Sequence, residues 1–213
     1  MSVMELFNLK GRRALITGSS QGIGYGLAQG LAKSGAEVIL NGRDTRKLDE
    51  AVGRLTANGY SVQGVAFDVT DKSEVAQAIA KIEVEIGAID ILINNAGMQF
   101  RTPLEEYPDE KFDELLRVNV KSVFLVGQAV ARHMIKRGKG KIINICSVQS
   151  ELGRPSIAPY TATKGAVKML TKGMCADWAK HGLQINAIGP GYDASSFVNG
   201  HVLYVDGGIT SVL

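Results

Sequence analysis

Short apolar runs rich in β-branched residues alternate with longer stretches of helical period along almost the whole chain. That alternation restricts the fold more than any other feature. "RALITG", "EVILNGR", "SVQGVAFDV", "IDILINNAG" and "GKIINICSV" read as strands, each followed by a helical stretch; "LQINAIGPG" and "HVLYVDGG" read as strands six and seven. Most of these runs do not alternate apolar with polar, so both faces of the strands are to be buried. A parallel sheet covered by helices on both sides meets that demand. A length of 213 residues suits one such domain with a sizeable core. The expected architecture is therefore α/β: a single domain over 1–213 with a doubly wound parallel sheet of seven strands.

Among the helices, Ile23, Leu27 and Leu31 form the stripe of the first, and Asp71 with Glu74 reads as a capping box opening "KSEVAQAIAKIEVEIG". One long helix is expected near 109–137. One place does not fit. Parallel strands six and seven need a crossover of about a dozen residues or more, yet only "YDASSFVNG" lies between Gly191 and His201. Tyr192 and Asp193 are thus expected not to be joined natively, with several tens of residues missing between them.

Composition excludes several classes. The formal charge of +3 has no basic block behind it, so nucleic acid is not an expected partner. No apolar stretch reaches membrane-spanning length, and the start "MSVMELFNLKGRR" is not a signal peptide. Cys146 and Cys175 are far apart and form no metal or disulfide spacing, so no metal is expected and a reducing cytoplasm is.

"LITGSSQGIGYGLAQGLA" places Gly18, Gly22 and Gly24 at the turn from the first strand into its helix. Glycines there allow a tight turn and the close approach of a pyrophosphate to a helix N-terminus, whose amides and dipole favour anions. The domain is therefore expected to be of Rossmann type, binding a nicotinamide dinucleotide. The second strand ends "Asn41-Gly42-Arg43", with no acid at its tip to hold ribose hydroxyls. Arg43 instead suits a 2′-phosphate, through charge-assisted bonds worth roughly 1.5–3 kcal/mol. NADP(H) is expected over NAD(H). Further on, "PYTATKG" sets Tyr160 and Lys164 one helical turn apart on the same face. Hydride transfer to a ketone leaves an alkoxide that needs a proton. A cation one turn away favours the phenolate and makes the phenol a better acid.

These residues together resemble the short-chain dehydrogenases/reductases. "TGSSQGIG" is similar to that family's cofactor loop and "NNAG" to its strand-four motif; Asn119, Ser147, Tyr160 and Lys164 match its catalytic tetrad. The resemblance implies cofactor contacts from Gly18, Ser20, Gln21, Gly22, Ile23 and Gly24, and a ribose wall of Asn95, Ala96 and Gly97. It further implies an adenine contact at Asp68 beside Val69, and a nicotinamide-side turn at Pro190 and Gly191. Ser147 would donate to the substrate oxygen, Lys164 would also hold the ribose hydroxyls, and Asn119 would hold a water leading from Lys164 to solvent. The family also implies a homotetramer. The one departure is the short segment after Tyr192, where members carry substrate-covering helices.

"NGRD", "NNAGMQFRTPLEEYP", "SVQSELGRPSIAPYTATKGAVKMLTKGM" and "ASSFVNGHVLYVDGGIT" resemble most those members that act on a keto sugar acid. A carboxylate needs a cation, and Arg101 lies in the loop that overhangs the nicotinamide end. Gln99, Gln149 and Arg154 are neighbouring candidates for reading hydroxyls, so the expected substrate set is Arg101, Ser147, Gln149 and Tyr160. Two other readings stand beside this one. A 3-oxoacyl-thioester reductase would need a basic docking patch, for which "IKRGKGK" is the candidate. A non-catalytic sensor of the NADP redox ratio would have no use for a proton donor.

Overall fold

In the computed structural model, which describes residues 7–191, the apolar runs form a sheet whose pairings are all parallel. Its strands are β1 (Arg13–Ile16), β2 (Glu37–Gly42), β3 (Val62–Ala66), β4 (Ile91–Asn94), β5 (Gly140–Ile145) and β6 (Leu183–Ile188), in the order β3-β2-β1-β4-β5-β6. Six strands are thus seen among the described residues. The seventh expected strand, 201–208, and the junction between Tyr192 and Asp193 lie outside them.

The side chains alternate between two cores, as the strand pleat requires. Leu15, Ile39 and Leu92 enter one core, while Ala14, Ile16, Val38, Leu40, Ile91 and Ile93 enter the other. Helices α1 (Gly22–Lys33) and α2 (Thr45–Thr56) cover the second face with Ala28, Ala32, Leu48, Ala51 and Leu55. Helices α3 (Lys72–Lys81), α5 (Ser122–Arg137) and α6 (Ala158–Trp178) cover the first with residues such as Ile79, Val126, Val130 and Val167.

Two helices differ from their expected form. The stretch 109–137 is not one helix: α4 (Asp109–Leu116) passes through a π-helical turn, Arg117–Lys121, before α5 begins. Likewise α3 runs into a π turn at Ile82–Ile86. The capping box at α3 is only half made. Asp71 Oδ1 accepts from the amides of Ser73 and Glu74, both at 2.8 Å, but the Glu74 carboxylate takes the Asp68 amide at 2.7 Å. The strand-three exit, with its own unpaired amide, competes successfully for that carboxylate.

The chain adds β2 and β3 on one side of β1, then returns to add β4, β5 and β6 on the other. Loops leaving β1 and β4 therefore diverge, and a crevice opens beyond the carboxyl ends of the strands. Asn41, a lone amide in the apolar β2, secures one wall and is 1% exposed. Its Oδ1 accepts from the Gly18 amide at 3.3 Å, and its Nδ2 donates to the carbonyls of Val65 (3.3 Å) and Phe67 (3.0 Å). Asn41→Leu keeps the volume but strips partners from three backbone groups. It should lower unfolding free energy by about 2–4 kcal/mol in urea titration; a loss below about 0.5 kcal/mol would show that these bonds do not carry the wall.

Candidate active site

The crevice is a groove of about 1030 Å³. Its floor is the turn from β1 into α1. Gly18 and Gly22 have φ of +60° and +61°, a region that favours glycine. A Cβ on Gly24 would come within 2.5 Å of both the Gly18 carbonyl oxygen and Asn95 Nδ2. Thr17 joins this turn to the exit of β4: its Oγ1 accepts from the amides of Asn95 (2.9 Å) and Ala96 (3.0 Å). Asn95 Nδ2 returns bonds to the carbonyls of Thr17 and Gly18, each at 3.0 Å. At the head of α1, Gln21 makes no side-chain cap, and the first turn holds no acid. The helix start is therefore left to an anion, which fits a dinucleotide pyrophosphate.

At one end of the groove the tip of β2 meets Asp68. Arg43 is well exposed and lies 3.4 Å from Asp68 Oδ2, while Asp68 Oδ1 accepts from the Thr70 amide and hydroxyl, both at 2.8 Å. Burial pushes the Asp68 carboxyl up, but the Thr70 hydrogen bonds and the Arg43 charge prevail and hold it below the ordinary 3.8. Lys47, in the first turn of α2, lines the same end, as do Val69 and Thr70. Lys47 escaped the sequence reading, although it stands one helical turn beyond Arg43.

At the other end, Ser147, Tyr160 and Lys164 line the groove together with Gly97, Pro190 and Gly191. Ser147 follows β5, and its Oγ accepts from the Gln149 amide at 3.2 Å, which leaves the hydroxyl proton without an acceptor among the described residues. Pro159 stands in the first turn of α6, and Tyr160 follows it. Lys164 is 6% exposed; its Nζ donates to the Ile145 carbonyl at 2.7 Å and lies 5.8 Å from the centroid of the Tyr160 ring. Burial lowers the Lys164 pKa from the ordinary 10.5, and Cys146 opposes this.

Some expected residues do not line the groove. Asn119 is 1% exposed, and its side chain is committed: Oδ1 accepts from the Met98 amide (2.8 Å), and Nδ2 donates to the Met98 carbonyl (2.9 Å) and Thr163 Oγ1 (3.1 Å). The side chain ties the β4 exit to α6. Arg101 is exposed and outside the lining, but its Nη2 donates to Oε1 of Gln99, which does line the groove, at 3.4 Å. Gln149 is buried and outside the lining, with no partner for its Oε1 among the described residues. Arg154 is half-buried in the segment before α6.

Among known proteins, the short chain dehydrogenase family profile matches residues 12–201. The chain is similar to gluconate 5-dehydrogenase of Gluconobacter oxydans (strain 621H), with 53% identity over 99% of each chain. It is also similar to 5-keto-D-gluconate 5-reductase of Escherichia coli (strain K12), with 44% identity over 96% of this chain and 98% of that one. A crystal structure of a gluconate 5-dehydrogenase from Burkholderia cenocepacia J2315 in complex with NADP and tartrate superposes with a TM-score of 0.87. Its identity is 55%, over 90% of this chain and 75% of that one. The Gluconobacter alignment runs over 253 positions, more than the 213 residues here, so that relative carries residues without a counterpart in this chain.

The lowered Lys164 pKa has a sign that can be tested. Folding weakens proton binding at Lys164, so the buried charge costs stability in full at low pH. Stability is regained as pH rises through the lowered value towards 10.5, because there the unfolded chain binds more protons. The difference in unfolding free energy between Lys164→Met and the parent should therefore move in the parent's favour as pH rises through that window. A difference independent of pH between about 7 and 11 would contradict the buried ammonium.

Proposed function

The chain belongs to the short chain dehydrogenase family, and from that membership we propose an NADPH-dependent reductase of a keto sugar acid, interconverting 5-keto-D-gluconate and D-gluconate. The observation that carries this reading is the meeting of Ser147, Tyr160 and Lys164 at one end of a groove whose floor is the glycine turn.

NADPH supplies the hydride when bound. The uncapped start of α1 would hold the pyrophosphate, and Arg43 with Lys47 would hold the 2′-phosphate. The NADP named in the Burkholderia complex supports that choice. Ser147 donates its free hydroxyl proton to the carbonyl oxygen and orients it. Tyr160 then delivers a proton to the same oxygen as it becomes an alkoxide. Lys164 offsets the charge left on the phenol oxygen and uses its remaining N–H donors on the ribose hydroxyls. The Arg101 guanidinium, set beside Gln99, takes the carboxylate. Tartrate in the Burkholderia complex, itself a hydroxy acid, supports an acid-binding groove.

The location of "IKRGKGK" gives the acyl-carrier alternative little support. Arg137 is paired with Glu83, Lys141 bonds to Gln184, and both lie towards the start of β5, away from the strand ends that border the groove. The setting we propose is a cytoplasmic homotetramer. No helix among the described residues is long and apolar enough to cross a membrane. Phe112, Leu116, Phe124 and Met169 are exposed apolar residues along α4, α5 and α6, a surface suited to subunit contacts. The residues absent relative to the Gluconobacter protein we place between Tyr192 and Asp193.

NADPH oxidation measured with 5-keto-D-gluconate should far exceed that with an acetoacetyl thioester; the reverse order would reject the sugar acid, and no oxidation with any carbonyl would favour the sensor. Tyr160→Phe should keep NADPH affinity and lose roughly 10²–10⁴ in turnover; an active Phe variant would remove the proton donor from the mechanism. Arg43→Ala should weaken NADPH binding by about ten- to hundredfold while leaving NADH nearly unchanged. Equal losses for both cofactors would take Arg43 off the phosphate.

A further inference from the structure

Ser156 is the only non-glycine residue with positive φ among the described residues, at +67°. An L-residue rarely takes that conformation and holds it only where its surroundings require it. The requirement lies on both sides. Ile157, next in the chain, is 1% exposed and its carbonyl accepts from the Thr161 amide at 2.9 Å in the first turn of α6. The Ser156 carbonyl itself accepts from the amide of Thr102 at 3.3 Å. Thr102 follows Arg101 in the loop between β4 and α4.

We propose that Ser156 is a positioning residue for substrate. Its left-handed turn presents the carbonyl that holds the Arg101 loop against the start of the Tyr160 helix. At negative φ the carbonyl would swing away from Thr102, and the Arg101 loop would lose its one bond to the turn before α6 among the backbone bonds described. Carboxylate binding and proton delivery come from separate segments, and this bond fixes the span between them. The inference rests on the reading that Arg101 takes the substrate carboxylate.

The test uses Ser156→Val, whose branched side chain resists positive φ, Ser156→Ala as a milder change, and Ser156→Gly, which keeps the turn without strain. Hydrogen exchange at the Thr102 amide should speed up by about tenfold or more in Ser156→Val, less in Ser156→Ala, and not in Ser156→Gly. The KM for 5-keto-D-gluconate should rise by about tenfold in the Val variant with NADPH affinity unchanged, and Ser156→Gly should restore it. In an Arg101→Gln background, Ser156→Val should add no further rise, since the two act on one contact. Unchanged Thr102 protection in the Val and Ala variants would overturn the clamp whatever the substrate is. Lost protection with an unchanged KM would overturn its role in positioning. Failure of the parent protein to reduce the keto acid would reject the functional reading, and Thr102 exchange would still decide the clamp.

Discussion

Thr17 Oγ1 takes amide protons from both Asn95 and Ala96, and in doing so it sets how far the two loops at the switch point can part. Strand order alone makes those loops diverge. With nothing across the gap, the glycine turn and the β4 exit would be separate surface loops. Asn95 closes the same gap from the other side, through its bonds to the Thr17 and Gly18 carbonyls. Gly24 then has to be glycine, because Asn95 Nδ2 and the Gly18 carbonyl occupy the space a Cβ would need. The groove is thus a packed arrangement of defined width rather than a flexible cleft.

Helix α6 must be registered against that groove, and polar ties do it at three levels. Asn119 Nδ2 donates to Thr163 Oγ1, which donates to the Tyr160 carbonyl at 2.7 Å. The next residue, Lys164, reaches the Ile145 carbonyl. Deeper still, Asn144 Nδ2 donates to Thr171 Oγ1 at 2.9 Å while its Oδ1 accepts from Asn94 at 2.9 Å. Apolar packing alone would tolerate a slide along the helix axis. Buried hydrogen bonds do not, because each slipped partner costs about 1–3 kcal/mol. The π turn at Asn119 belongs to the same arrangement, since that residue sits in the turn and its amide reaches Met98 and Thr163 together.

The chain's periodicity made the sheet, its helices and the glycine turn readable, because those features depend on neighbours in sequence. The Tyr160–Lys164 spacing was readable for the same reason: a helix places residues four apart on one face. What escaped was decided by distant partners. Glu74 was expected to serve its own helix and instead caps the β3 exit at Asp68. That the Asn119 side chain would tie Met98 to Thr163 could not be read locally either. The π turns carry no local composition signal. Lys47 and Ser156 acquire meaning only once the tip of β2 and the Thr102 amide are in place. Asn41 had a visible sign, an amide within an apolar strand, but its three backbone partners come from two other segments.

Counting the hydrogen-bonding capacity left after folding separates the scaffold of the site from its chemistry. Asn41 has both side-chain polar atoms engaged within the protein, and Asn119 likewise, so both side chains hold backbone in place around the strand ends. Ser147 accepts a bond and keeps its proton; Lys164 gives one N–H to Ile145 and has others in reserve. Burying Lys164 is unfavourable in itself, as the direction of its pKa shift shows. A fold with no use for the charge would gain by replacing it with an apolar residue of similar shape. The chain keeps an ammonium there, beside a phenol and facing a groove whose helix start is open to an anion. That placement fits the proposed reading, in which the ligand sets negative charge on the floor of the groove and needs a proton at one end.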